Sequence, residues 1–270
     1  MTTQELENVC RQIRRDIINM TANAGSGHPG GSLSAVELMA GAFYTQMRID
    51  PQHPKWEGRD RFVLSKGHAA PCYYGVLAEL GYFSRDEFKT FRQLHGMLQG
   101  HPDAKKIPGV DASTGSLGQG VSIANGMALG ARYLGRDTRV FCLCGDGECQ
   151  EGQVWEAFMS AAHYKLDNLT VLIDWNGLQI DGSNNEVMSL GDLGAKMRAF
   201  GFTVIELADG NDLTQVISAL KLPALPGKPR CILAHTVKGK GVSFMENQVG
   251  WHGKAPSEEQ RRLALKELEE

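Results

Sequence analysis

TRVFCLCGDG (residues 138–147) and LTVLIDWN (residues 169–176), whose asparagine lies thirty positions after the aspartate of the first, decide how this chain folds. Each opens with an apolar, β-branched run of strand length. Residues 154–164 between them space their apolar side chains as a helix does. Strand, helix, strand in that order is a βαβ unit, and its crossover is right-handed, so both strands point the same way. Asp146 and Asn176 then leave the sheet at one carboxyl edge, where open α/β sheets bind ligands.

Outward from this unit the rhythm repeats. Phe202–Leu207 and Arg230–His235 read as strands around a helix near Asp212–Leu220, and Arg61–Ser65 is a strand ending at Lys66-Gly67-His68. Leu6, Val9, Ile13, Ile17 and Met20 recur at helical spacing over residues 4–23. A loop, GSGHPGGS (25–32), leads to a second helix expected over 34–47. Ser84 with Glu87 has the form of a capping box opening a helix. GSLGQG (115–120) is a glycine-rich turn before a helix over 121–134. Gly126 and Gly130 inside that helix cost about 1 kcal/mol each against alanine, a cost that packing against another backbone would offset. Residues 257–270 are charged and helix-prone. The alternation predicts an α/β fold, a parallel sheet with helices on both faces. No repeat or linker interrupts it, so residues 1–270 read as one domain.

Composition narrows the function. The net charge of −3, from 28 basic and 31 acidic residues, offers no electrostatic case for nucleic acid or an acidic membrane. No apolar run approaches the ~20 residues of a membrane span. The first eight residues are polar and acidic, unlike a signal or transit peptide. Six cysteines show no CxxC pair and no zinc spacing, and Cys142 and Cys144 sit in an apolar run as buried thiols. A reducing cytoplasm fits.

The strand-end pair carries chemistry. Asp and Asn both offer hard oxygens, and Mg²⁺ takes about six of them, commonly from few protein groups plus phosphate. Gly145 and Gly147 let backbone N–H groups approach a diphosphate. A lone GDG is a common turn; GDG and Asn, each after an apolar strand, form a more specific signal. Four of the eight histidines, His28, His68, His101 and His252, stand next to glycine inside the motifs matched below. Imidazole titrates in the range needed to move protons on sugar hydroxyls.

With these motifs in place, the chain resembles the thiamine diphosphate enzymes, and among them the transketolases. GDGECQEG (145–152), WEA (155–157) and YKLDNL (164–169) are similar to the transketolase form of the cofactor motif. SGHPG (26–30), SKGH (65–68), GHP (100–102), GSLGQG (115–120) and WHG (251–253) follow in the family's order, so the resemblance spans roughly residues 10–255. It implies metal ligation by Asp146, the Asn176 side chain and the Leu178 carbonyl, with Mg²⁺ replaceable by Ca²⁺ or Mn²⁺. It places Gly115, Ser116, Leu117, Gly145 and Gly147 at the cofactor. It puts Glu151 and Glu156 near a dimer interface that links two cofactor sites, although acids are also at home at a helix start. It assigns His28 and His252 to proton handling in the substrate channel, and His68 and His101 to the diphosphate and the donor's terminal hydroxyl. His235, at a strand end, is a further candidate.

The implied activity is transfer of a two-carbon ketol unit from a ketose phosphate to an aldose or aldose phosphate. Transketolases also have pyrimidine-binding and C-terminal domains, and no segment here matches either. The resemblance therefore implies the N-terminal subunit of a split enzyme, paired two-plus-two with a chain carrying those domains; a truncated chain is the alternative. A deoxyxylulose-phosphate synthase-like or 2-oxoacid dehydrogenase-like subunit shares GDG and Asn, but the QEG, SGHPGG and WHG runs favour transketolase. A non-catalytic diphosphate-binding subunit would have no need of the four histidines. A dinucleotide-binding module wants GxGxxG, which Gly145-Asp146-Gly147 does not continue.

Overall fold

The computed structural model describes residues 1–269. Five strands, β1 (Arg61–Leu64), β2 (Val140–Gly145), β3 (Leu169–Trp175), β4 (Thr203–Leu207) and β5 (Arg230–His235), form one sheet in the order β1-β2-β3-β5-β4. Every pairing is parallel. β1, β2, β3 and β5 are largely buried on both faces because alternate side chains feed two cores, whereas the edge strand β4 is only partly covered. Phe62, Leu64, Phe141, Leu143, Leu172 and Ile232 pack with α1 (Thr3–Ala24), α3 (Val36–Thr45), α4 (Ala70–Glu79) and α9 (Leu213–Lys221). Val63, Val140, Cys142, Cys144, Val171, Ile173 and Leu233 pack with α5 (Gln119–Tyr133), α6 (Gly152–His163) and α8 (Leu193–Ala199). The expected parallel sheet with helices on both faces is the observed architecture.

Local rules explain most element boundaries. α1 opens on a capping box, Thr2 with Glu5, and closes on Gly25 in the left-handed region at φ 58°. Asp192 and Asp212 cap α8 and α9 by accepting from backbone N–H groups of the first turn. Ser257 and Gln260 form the box that opens α10 (Glu258–Glu267).

Two expectations are corrected. The helix expected over 34–47 is preceded by a separate turn, α2 (Pro29–Leu33), and begins only at Val36. Ser34 is held between them, its hydroxyl donating to Asp174 (2.6 Å) and its carbonyl accepting from Asn211 (3.0 Å). Ser84 caps a 3-10 turn, Arg85–Thr90, rather than an α-helix; it accepts from the N–H of Asp86, and no reciprocal Glu87 bond forms. Phe88 and Phe91 turn inward there, which ends the segment after six residues. α4 has no amphipathic signature in the sequence, because its residues from Ala70 to Ala78 are all buried and show no polar face.

The glycines of α5 find no packing partner within this chain. Side-chain carbons added at Gly126 or Gly130 would meet nothing within 4 Å, so no backbone among the described residues packs there. Gly120, on the first turn of α5, is the opposite case: a Cβ would lie 2.6 Å from the Cα of Ser65. Gly120→Ala should therefore destabilise the chain by about 1–3 kcal/mol through overpacking. Gly126→Ala should stabilise the isolated chain by about 0.5–1 kcal/mol through helix propensity. Urea unfolding of the two variants checks both signs.

Candidate functional site

The carboxyl ends of four adjacent strands meet at one cleft of about 320 Å³. β1 delivers Lys66, β2 delivers Asp146, β3 delivers Asp174 and Asn176, and the chain beyond β5 delivers Thr236 and Lys238. The parallel register makes this convergence unavoidable: Gly145 stands opposite Asp174, and Trp175 opposite His235.

Asp146 has 2% of its surface exposed. Its carboxylate accepts from the N–H of Gly147 (2.7 Å) and of Gly177 (2.6 Å). Burial, and then the charge of Asp174, push it up to about 6. The loop after β3 wraps this carboxylate. The Asn176 side-chain oxygen accepts from the N–H of Leu178 (3.1 Å), and the Leu178 carbonyl accepts from the Lys238 ammonium (3.0 Å). One carboxylate, one amide oxygen and one carbonyl thus stand at a single strand edge, the hard-oxygen set that the sequence suggests.

Asp174 is fully buried beneath them. It accepts from Lys66, Thr236 and Ser34, and from the Asn176 amide at 3.3 Å. Burial alone would raise this carboxyl, but the Lys66 ammonium and the hydroxyl donors hold it below the ordinary range. The Asn176 amide nitrogen is thereby turned toward Asp174 and its oxygen away.

Three of the four histidines form a triangle above the cleft. Ring centroids of His28 and His68 lie 5.3 Å apart, of His28 and His252 5.6 Å, and of His68 and His252 5.2 Å. They come from the loop before α2, the turn after β1 and the WHG turn. Burial pushes His28 down to about 4, helped by Arg92, His101 and Lys238. Burial and then Lys238 push His252 down to about 3. His68 is held well below its ordinary value by burial and by Lys66. All three are neutral imidazoles at neutral pH. The Lys238 ammonium donates to Nδ1 of His252 (2.8 Å), which leaves the proton of that ring on Nε2.

The remaining candidates are placed as follows. Gly145, Gly147, Leu117 and Glu151 line the cleft, with Glu151 exposed at its rim and at the N-cap of α6. Ser116 is exposed on the loop beside it. The His101 ring covers Gly115, where a Cβ would come within 2.9 Å of it. His101 therefore stands behind the loop rather than in the triangle. Glu156 does not line the cleft; it borders a groove between α5 and α6 with Ser122, Asn125 and Gly126. His235 is exposed and stacks on Trp175 at 5.1 Å.

Four residues of the site escape the sequence motifs as functional groups: Lys66, Glu148, Asp174 and Lys238. The available signal is a charge at or just beyond the end of an apolar strand. Glu148 has 3% exposure and accepts from Ser65, from Gly118 N–H (2.8 Å) and from Gly145 N–H (3.0 Å). It ties together three of the sequence motifs, SKGH, GSLGQG and GDG.

Residues 3–268 match the family model described as transketolase, thiamine diphosphate binding domain. An apulose-4-phosphate transketolase subunit from Actinobacillus succinogenes is 40% identical over 271 residues, covering 100% of this chain and 98% of that protein. The chain belongs to the transketolase family. The 6-deoxy-6-sulfo-D-fructose transketolase subunit of a Clostridium species is 41% identical, over 98% of this chain and 96% of its own length. Human transketolase is 40% identical, but the alignment spans only 40% of it. The solved structure of transketolase from Leishmania mexicana superposes with a TM-score of 0.94 at 33% identity, over 98% of this chain and 41% of the other. The chain is thus the thiamine diphosphate-binding part of a transketolase, and it matches the two bacterial subunits over nearly their whole length.

The transketolase histidines carry a stability signature. An unfolded imidazole protonates near 6.5, whereas the folded-state values are about 4 for His28 and about 3 for His252. Between those limits the unfolded chain binds more protons, so stability is full above about pH 6.5 and declines as pH falls toward 4. Urea midpoints measured across that window should fall on acidification, and His28→Gln should flatten the slope.

Proposed function

We propose that this chain is the diphosphate- and metal-binding subunit of a two-chain transketolase, which moves a two-carbon ketol unit from a ketose phosphate to an aldose or aldose phosphate. The observation that carries this reading is the meeting of Asp146, Asn176 and Leu178 oxygens with three neutral imidazoles at one strand edge. The donor set fits a dication: the buried Asp146 carboxyl, raised to about 6, is short of positive charge, and Mg²⁺, Ca²⁺ or Mn²⁺ would supply it. The Asp146 carboxylate, the Asn176 side-chain oxygen and the Leu178 carbonyl would hold the metal. Backbone groups of Gly115, Ser116, Leu117, Gly145 and Gly147, with Lys238, would receive the diphosphate.

Bound thiamine diphosphate supplies a thiazolium ring that serves as the electron sink for cleaving and forming the carbon–carbon bond. His28 and His252 take and return hydroxyl protons, for which a neutral ring, both donor and acceptor, is the competent form. His68 orients the diphosphate side, and His101 acts on the donor's terminal hydroxyl from behind the Gly115 loop. The two bacterial relatives described above are named for apulose-4-phosphate and 6-deoxy-6-sulfo-D-fructose. Both are sugars with an anionic substituent, and we assign this chain the same substrate class.

We further propose that residues 1–270 act as one diphosphate-binding unit in the cytoplasm and pair two-plus-two with a chain bearing the pyrimidine and C-terminal domains. Self-association would use the open face of α5 and α6. There Leu129, Tyr133 and Met159 are 40%, 90% and 60% exposed, and Gly126 and Gly130 leave room for a second backbone. Glu151 and Glu156 would then lie near the contact between copies, linking the two sites. No role for nucleic acid or a membrane enters this reading.

Asp146→Ala and Asn176→Ala should each abolish metal-dependent thiamine diphosphate binding, measured by calorimetric titration of the assembled complex; near-normal affinity would remove the metal assignment. His28→Ala and His252→Ala should lower turnover ~10²–10⁴-fold while cofactor affinity is kept. The isolated chain should be inactive with thiamine diphosphate and Mg²⁺ until the pyrimidine-domain chain is added. The complete complex should release an aldose from a ketose phosphate; carbon dioxide from a 2-oxoacid, with no ketose cleaved, would refute the reaction class.

A further inference from the structure

The turn that leads into α5 has two forms open to it, and two side chains choose between them. Residues 116–119 close on themselves, the N–H of Gln119 donating to the Ser116 carbonyl at 3.4 Å. Gly118 stands third in that turn at φ 82° and ψ −18°, the mark of a type II turn. Turning over the central peptide, between Leu117 and Gly118, gives the type I form, whose third residue has a negative φ. Glycine adopts either sign of φ about equally, so residue 118 does not decide by itself.

The central peptide is instead held at both of its polar ends. Its N–H, on Gly118, donates to Oε1 of Glu148 at 2.8 Å. Its carbonyl, on Leu117, accepts from Nε2 of Gln153 at 2.9 Å. Gln119 donates to Oε1 of Gln153, which keeps the amide nitrogen of Gln153 on the carbonyl side. In the inverted peptide the carbonyl would face the Glu148 carboxylate and the N–H would face the Gln153 amide nitrogen. Acceptor would then meet acceptor, and donor would meet donor.

Neither side chain is free to follow such a flip. Glu148 also accepts from the Ser65 hydroxyl and from the Gly145 N–H at 3.0 Å. Gln153 belongs to the first turn of α6. The fit is also tight, since a Cβ at Gly118 would lie 2.8 Å from Nε2 of Gln153. The peptide so held borders the cleft, where Leu117 lines the wall with Gly145, Gly147 and Glu148.

We infer that Glu148 and Gln153 are positioning residues that lock the Leu117–Gly118 peptide in the orientation competent to receive thiamine diphosphate. This rests on the proposed function, which takes the backbone of residues 115–117 for part of the cofactor's wall. Neither side chain needs to touch the cofactor. A wall ordered in advance removes that ordering cost from binding. Without the lock the competent turn is only a fraction of the population, and apparent affinity falls by that fraction.

Two measurements test it. In the labelled full chain, amide hydrogen exchange at Gly118 should be slow in the wild type and much faster in Glu148→Ala. Gln153→Ala should raise it less, because the bond to Glu148 remains. In the assembled complex with Mg²⁺, calorimetry should show thiamine diphosphate bound roughly ten- to hundred-fold more weakly by Glu148→Ala, the worth of a hydrogen bond to a charged group. Gln153→Ala should lose roughly two- to tenfold, the worth of a neutral one. The double variant should lose less than the product of the two, because both side chains act on one peptide. A merely structural role would lower urea midpoints and leave the cofactor affinity of the folded variants alone. Should Glu148→Ala fail to fold, Glu148→Gln takes its place, since an amide cannot accept from Gly118 and Gly145 at once. Wild-type affinity in folded Gln153→Ala would overturn the inference. So would losses that multiply in the double variant, or Gly118 exchange that does not respond to Glu148. If the wild-type complex failed to bind thiamine diphosphate with Mg²⁺, the proposed function would fall on that result alone, and this inference with it.

Discussion

Asp174 has no solvent access and sits near the end of a strand whose other side chains are mostly apolar, so its charge must be met inside the protein. Lys66, itself 1% exposed, meets it from the end of β1, two strands away in the sheet. A buried pair of this kind contributes little net stability, but the loss of either partner strands a charge at a cost of about 3–5 kcal/mol. The site inherits its geometry from this pair. Lys66 reaches back to the carbonyl of Gly31 (2.9 Å), Ser34 and Thr236 close on Asp174, and Asn176 hangs from it by its amide nitrogen. Four separate segments are thereby held at fixed distances around one carboxylate. The break between α2 and α3 is part of the same arrangement, since Ser34 belongs to it.

Above this layer the electrostatics run the other way. Lys66 and Lys238 are both buried close to the histidines, and Lys238 is itself pushed down to about 8 by burial and by the Lys66 charge. Burial, and after it the charge of these and neighbouring cations, disfavours an imidazolium, so the three rings stay neutral. Neutral rings suit a reaction in which hydroxyl protons are removed and returned at the same place. The cations that add to this suppression of imidazole protonation also make the cleft receptive to a diphosphate. One charge distribution thus serves cofactor capture and the tuning of the acid–base groups.

The strand-end residues are legible because a parallel sheet with right-handed crossovers leaves no choice about which edge Asp146 and Asn176 occupy. The glycine-flanked histidines are legible as motifs, but nothing in their spacing says that His28, His68 and His252 meet while His101 stands behind the Gly115 loop. Glu148 is hidden for a different reason. A glutamate following GDG reads as a solvated acid at a helix start, and only the closeness of Ser65, Gly118 and Gly145 shows it as a buried acceptor of three hydrogen bonds. The α5 glycines are legible only in part, because a position that needs no side chain looks the same whether its neighbour lies in this chain or in another.

By itself, the sequence determined the five strands, most of the helices and their order, since apolar periodicity and capping residues act over a few positions of chain. It also determined the parallel sense of the sheet and the edge that carries chemistry. Tertiary structure alone decided which charges are buried together and which imidazoles touch. Those outcomes depend on distances between segments far apart in the chain, such as Lys66 and Asp174 or Arg14 and Glu37. They also depend on the loss of water around them, and neither quantity is a property of any local stretch of residues.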